Sequence, residues 1–189
     1  VRNTLPTPWD AVTNVMDGGL GGGELGVLVA PAGIGKSWCL QSLGAHLVRQ
    51  GKTVAHYTLE LNANYVGLRY DTVFSGITTS NIKFYQEDVQ KVIDTLTGKL
   101  INKYYPTRSA TVNTIAAHLK QMEIQEIKPD VVIVDYADIL KPTTFYKEKR
   151  HSTGETYENL RGMAGEFDIP VWTASQANRS SLEEEIIDA

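Results

Sequence analysis

The sequence has 189 residues, 42% of them hydrophobic and 21% charged, which suits one globular domain with its own core and is short for two. A formal net charge of −4 excludes a domain that coats nucleic acid by bulk positive charge, while leaving room for a local basic loop or a site built from several subunits. No apolar run reaches the ~18 residues of a membrane span, the N-terminus lacks a secretory pattern, and the single cysteine, Cys39, cannot close an internal disulfide, so a reducing cytoplasm is the expected setting.

In chain order, Thr7-Pro8-Trp9-Asp10 predicts a helix start, with a capping threonine, proline in the first turn and an early acid. That helix is expected to end near Met16, before the glycine-rich turn Asp17 to Gly23, so residues 1–24 form a lead-in rather than a separate domain. Glu24 to Ala30 reads as a buried strand, and Lys36 to Gln50 as a helix with Leu40, Leu43 and Leu47 at helical spacing, closed by Gly51. On that helix Cys39 reads as a small core residue. Thr53 to Leu59 predicts a strand; Asn62 to Gly76 and Gln86 to Leu96 predict helices; Leu100 to Tyr105 predicts a strand stopped by Pro106. Thr111 to Ile127 is amphipathic, with Ile115, Leu119, Met122 and Ile127 on or near one face. Val131 to Asp135 is the clearest buried strand, and a helix near Gly154 to Phe167 leads to a last strand, Pro170 to Ala174. Strands alternating with helices, apolar on both faces, imply a single α/β domain over residues 1–189 with a mainly parallel sheet between two helical layers.

The chemistry begins at Ala30-Pro31-Ala32-Gly33-Ile34-Gly35-Lys36-Ser37, between a strand and a helix. Gly33 and Gly35 let the backbone curl so that N–H groups point at an anion, Lys36 adds charge for the β- and γ-phosphates, and Ser37 can ligate Mg²⁺. Ala30 replaces the usual first glycine, a mild departure at a position that starts the turn. Residues Ala32 to Trp38 are therefore the expected contacts to a nucleoside triphosphate.

Asp135 ends a run of four aliphatic residues, at the sheet edge where ligands bind, and can hold Mg²⁺ opposite Ser37; alone it could equally be a turn cap. Hydrolysis also needs a base or a group that positions water, for which Glu60, at the end of the second strand, comes before Asp138. Gln176, just past the last strand, can bond a γ-phosphate or attacking water, or simply cap the loop. Lys141, Lys147, Lys149 and Arg150, interleaved with Phe145 and Tyr146, suit a loop that touches a nucleic-acid backbone, against the plainer reading of a solvated charge run.

Gly23-Glu24-Leu25, Thr58-Leu59-Glu60-Leu61, Val134-Asp135-Tyr136-Ala137-Asp138 and Ser175-Gln176-Ala177-Asn178-Arg179 resemble, in order, the motifs of DnaB-type replicative helicases, with the phage branch nearest. The resemblance runs from about Thr7 to Arg179 and implies a three-layer αβα, RecA-like P-loop NTPase fold. It further implies ATP (or another NTP) and Mg²⁺ as cofactors, hydrolysis coupled to DNA unwinding, a homo-oligomeric ring (a hexamer in the full-length protein) around single-stranded DNA, and primase as a partner. By position, Lys36 and Ser37 would grip phosphate and Mg²⁺, and Asp135 would be the magnesium aspartate. Glu60 would be the catalytic glutamate, Gln176 the γ-phosphate sensor, and the loop Lys141 to His151 a DNA-facing central loop.

The family's N-terminal domain and the C-terminal part that supplies an arginine finger are not in this sequence, and Arg179 is not marked as that finger. With a start at Val1 and an end at Ala189 inside an acidic stretch, a fragment of a longer protein is expected. The phosphate loop and the two acids are shared by recombinase-like and clock-protein-like ATPases, and a nucleotide-gated loading module is a further alternative.

Overall fold

Five parallel strands make the main sheet, and their order brings residues far apart in sequence to one edge. The computed structural model describes residues 2–143 and 149–177. The strands β1 (Thr4–Leu5) and β2 (Leu20–Gly21) form a short antiparallel pair around α1 (Asp10–Val15). Then come β3 (Leu25–Ala30), α2 (Lys36–Arg49), β4 (Thr53–Thr58), α3 (Ala63–Ser75), α4 (Gln86–Asp94), β5 (Lys99–Tyr104), α5 (Val112–Ile124), β6 (Val131–Asp135), α6 (Lys149–Phe167) and β7 (Val171–Gln176). The order across the sheet is β3-β7-β6-β4-β5, with every neighbouring pair parallel.

Alternation along each strand divides the core in two. Val132 and Val134 of β6 and Tyr57 of β4 pack against Ile115, Leu119, Leu160 and Met163 of α5 and α6. Val131 and Ile133, with Trp172 of β7, pack against Leu40, Leu43 and Leu47 of α2 and Val66 and Tyr70 of α3. The four aliphatic residues Val131 to Val134 are wholly buried, each contributing roughly 1.5–3 kcal/mol by leaving water, so β6 is the anchor of both layers. The three-layer α/β fold is the one expected.

Several local expectations are corrected. Trp9, not Thr7, is the N-cap of α1; the Thr7 hydroxyl instead accepts the Trp9 N–H and bonds Thr13. The β3 strand is not buried on all sides: among the described residues it pairs only with β7, and Val29 stays 58% exposed. Gly26 of β3 is required by close approach, because a Cβ there would lie 2.5 Å from the Trp172 ring. Helix α5 stops at Ile124, Glu126 takes a left-handed φ of 61°, and Ile127 falls outside the helix and is exposed. Cys39 is half-buried, since Leu40 and Leu43 take the core-facing positions. Helix α6 begins at Lys149 rather than near Gly154, so the end of the expected basic loop is helical backbone.

Candidate functional site

The loop between β3 and α2 adopts the conformation its glycines permit. Gly33 and Gly35 have φ of 79° and 98°, left-handed values that L-residues resist, and a Cβ at either would meet no atom within 4 Å. Both glycines are therefore demanded by backbone conformation, not by crowding. Gly35 caps α2 without any side-chain hydrogen bond, so the first-turn amides and the positive end of a 14-residue helix face the loop. Lys36 Nζ donates to the carbonyls of Ala30 and Pro31, at 2.9 Å each.

Ser37, one residue on, donates its hydroxyl to Asp135 Oδ1 at 3.1 Å. Asp135 is only 3% exposed, and burial pushes its carboxyl up to about 6. The Ser37 hydrogen bond opposes that rise, the Glu60 carboxylate adds to it, and the positive charges of Arg69 and Lys36 oppose it. The Asp135–Tyr136 peptide is cis.

The sheet register sets the other two candidates beside this pair. The Leu59 N–H donates to the Asp135 carbonyl at 3.0 Å, which ties the end of β4 to the end of β6 and leaves Glu60 exposed just beyond. Gln176 lies opposite Ala30 in the β3–β7 register, and the Ala177 N–H donates to the Ala30 carbonyl. A cavity of about 290 Å³ is lined by Ala32, Gly33, Gly35, Lys36, Ser37 and Trp38 together with Glu60, Arg69, Tyr136 and Gln176. Ile34, expected among the contacts, is an exposed residue of the loop and does not line it.

Asp138 has a different setting. It accepts hydrogen bonds from the Gln176 N–H at 2.8 Å, the Ser175 hydroxyl and the Tyr157 hydroxyl. Its carboxylate holds the end of β7 and is not part of the cavity wall.

Of the basic group, Lys141 is exposed, and its backbone N–H donates to the Ala110 carbonyl. Lys149 and Arg150 open α6, while Lys147, like Asn178 and Arg179, lies outside the described residues. Sequence reasoning missed Arg69 and Tyr136. Tyr136 adjoins Asp135 and was discoverable by adjacency; Arg69 sits inside α3 behind no motif, and only helical spacing from the Asn62 cap could have flagged it.

The donor set suits a magnesium–nucleotide. Among the described residues no cluster of three or more His, Cys, Asp or Glu side chains could hold a metal alone. One hydroxyl and one carboxylate, both hard oxygens, match an ion that takes its remaining ligands from phosphate and water. A buried carboxylate with a raised pKa is also a group that a divalent cation would favour in its charged form.

The family model of the DnaB-like helicase C-terminal domain matches residues 5–185. The chain is 29% identical over 189 residues to the DnaB-like replicative helicase of Enterobacteria phage T4, covering 94% of this chain and 40% of that protein. It is 22% identical over 182 residues to the replicative DNA helicase DnaB of Helicobacter pylori strain J99, covering 93% of this chain and 37% of that one. It thus spans about two-fifths of the length of these relatives. Among solved structures, an isolated ATPase domain superposes with a TM-score of 0.81 at 17% identity, covering 97% of this chain and 67% of that one. A DnaB-like replicative helicase solved for its interactions with primase gives 0.80 at 18% identity, covering 97% and 46%. These last two establish the RecA-like fold, and no helix among the described residues is long and apolar enough to cross a membrane. By the extent of the family match, the chain belongs to the DnaB-like helicase C-terminal domain family.

Proposed function

We propose that this chain is the motor core of a ring-forming, ATP-driven DNA helicase of a replication system, which hydrolyses nucleotide to move along single-stranded DNA. The observation that carries the reading is the Ser37–Asp135 hydrogen bond beside Lys36, with Glu60 and Gln176 on the wall of the same cavity. In this reading the loop amides and Lys36 bind the phosphates, while Ser37 and Asp135 hold Mg²⁺ with the phosphate oxygens. The metal supplies charge neutralisation at the transferring phosphoryl group. Glu60 takes a proton from the attacking water, and Gln176 bonds the γ-phosphate and responds to its loss.

The cavity is open on the Glu60 and Gln176 side, where both residues are exposed. A neighbouring subunit in the ring completes it there, supplying an arginine finger. Lys141, Lys147, Lys149 and Arg150 face DNA in the ring's channel, and a primase partner is in keeping with the structural neighbour solved for its interactions with primase.

The test is ATPase activity, with and without single-stranded DNA, across protein concentration. Turnover per subunit should rise with concentration and with DNA. Lys36→Ala should abolish nucleotide binding, and Glu60→Gln should retain binding and lose turnover. Strong ATPase with strand exchange but no unwinding would replace this reading with a recombinase-like one. Intact DNA loading by Glu60→Gln would point to a loading module.

A further inference from the structure

Arg69 is the one charged cavity residue to which the proposed hydrolysis gives no task. It projects from α3 with its guanidinium carbon 4.9 Å from the centre of the Trp38 ring. Trp38 is the third residue of α2, immediately after Ser37, and is 37% exposed. Both side chains line the same cavity as Lys36, Ser37 and Glu60.

Among the described residues, the ion pairs are Arg2–Glu24, Lys91–Asp88 and Lys120–Glu166, and none involves Arg69. Lys36 has its ammonium committed to two carbonyls, whereas the Arg69 guanidinium rests on an indole face. Its charge nevertheless reaches the core of the site, since it acts on the Asp135 carboxylate from α3.

We propose that Arg69 is a triphosphate-responsive ligand, stacked on Trp38 in the arrangement seen here and turning onto the terminal phosphates when a magnesium–nucleoside triphosphate enters. The proposal rests on the phosphate-loop reading given above. A cation–π contact at a partly exposed indole is a weak hold, and a charge-assisted, forked hydrogen bond to phosphate is stronger, so phosphate wins the competition when present. Arginine suits this exchange better than lysine: its planar fork both stacks on a ring and pairs with two phosphate oxygens. Trp38 then acts as a positioning residue, keeping the guanidinium at the cavity and away from Asp135 and Glu60 until phosphate arrives.

The experiment is calorimetric titration of Mg²⁺-ADP and of Mg²⁺ with the non-hydrolysable β,γ-imido analogue of ATP, with tryptophan emission followed in parallel in a Trp9→Phe background. With Arg69 present, the triphosphate analogue should change the Trp38 emission more than ADP does. Arg69→Met should weaken the triphosphate analogue about tenfold, leave ADP within about twofold, and remove the emission change. Arg69→Lys should fall between, keeping charge without the fork. Trp38→Leu should bind the triphosphate analogue at least as tightly as the parent protein, because the competing contact is gone.

Equal triphosphate affinity with and without Arg69 would overturn the proposal, as would parallel losses for ADP and triphosphate. A Trp38→Leu loss as large as that of Arg69→Met would overturn the platform role. Failure of the parent protein to bind either nucleotide would instead bring down the phosphate-loop reading itself.

Discussion

Ser37 Oγ reaches Asp135 Oδ1 at 3.1 Å from a position 98 residues earlier in the chain, and this bond joins the start of α2 to the end of β6. The carboxylate it serves is uncomfortable as an isolated anion. Its pKa of about 6, against the ordinary aspartate value of 3.8, means that the folded chain holds this proton more tightly than the unfolded chain does between those values. Stability from this group is therefore greatest at low pH and declines as pH rises from about 4 to about 6, by about 3 kcal/mol in all. Asp135→Asn, which still accepts the Ser37 hydroxyl, should raise the midpoint of thermal unfolding at about pH 7.5 without nucleotide. It should also abolish the Mg²⁺ dependence of nucleotide affinity, measured by titration with and without the metal.

His56 pulls the other way. It is wholly buried, its Nδ1 is 2.8 Å from the Tyr70 hydroxyl, and burial lowers its pKa to about 3. The unfolded chain then binds the extra proton below about 6.5, so stability from this residue is intact above that pH and is lost as pH falls toward 3. Between about 4 and 6 the two groups oppose each other, and the stability curve should be flatter there than either alone would give. Denaturant melts at closely spaced pH values should show His56→Leu destabilised at about pH 7.5, because the Tyr70 hydroxyl loses its partner, yet less acid-sensitive below about pH 6.

Gly44 should tolerate nothing larger. A Cβ there would stand 2.2 Å from the Tyr70 hydroxyl and 3.1 Å from Ile133 Cδ1. Gly44→Ala should therefore displace Tyr70 from His56 and lower stability by about 1–3 kcal/mol, read from denaturant midpoints. Gly35→Ala has open space but a φ of 98°, so its penalty should appear chiefly as lost nucleotide affinity while the fold survives.

Asp138 is expected to matter through Gln176. Asp138→Ala removes the acceptor for the Gln176 N–H, the Ser175 hydroxyl and the Tyr157 hydroxyl. Turnover should fall several-fold with nucleotide affinity nearly unchanged, a split visible in steady-state kinetics beside equilibrium binding. Equal losses in both would mean that the whole cavity had shifted.

Much of this architecture was legible because local and global signals agree. The aliphatic run of β6 is buried on both faces, and the Asn62 and Thr111 caps accept the backbone amides expected of them. The phosphate loop was readable because its glycines are required by backbone angle, which sequence encodes directly. What escaped depends on neighbours distant in sequence. Whether β3 is central or peripheral is decided by which strands flank it, and its own apolar residues are the same either way. Arg69 reaches the cavity through the packing of α3 against α2, which no motif within α3 announces. Asp138 rivals Glu60 in sequence alone, and only the hydroxyls of Ser175 and Tyr157 upon it reveal its separate task.

The edge position of β3 has a mechanical meaning. Among the described residues, the strand that carries the phosphate loop is held laterally by β7 alone, through a register that runs from Leu25–Val171 to Ala30–Gln176. Force applied at Gln176 therefore passes to the root of the loop across one seam, without first deforming β6 or β4. The loop and the glutamine behave as two prongs of a single tuning fork, anchored at Asp138 on one side and free on the other.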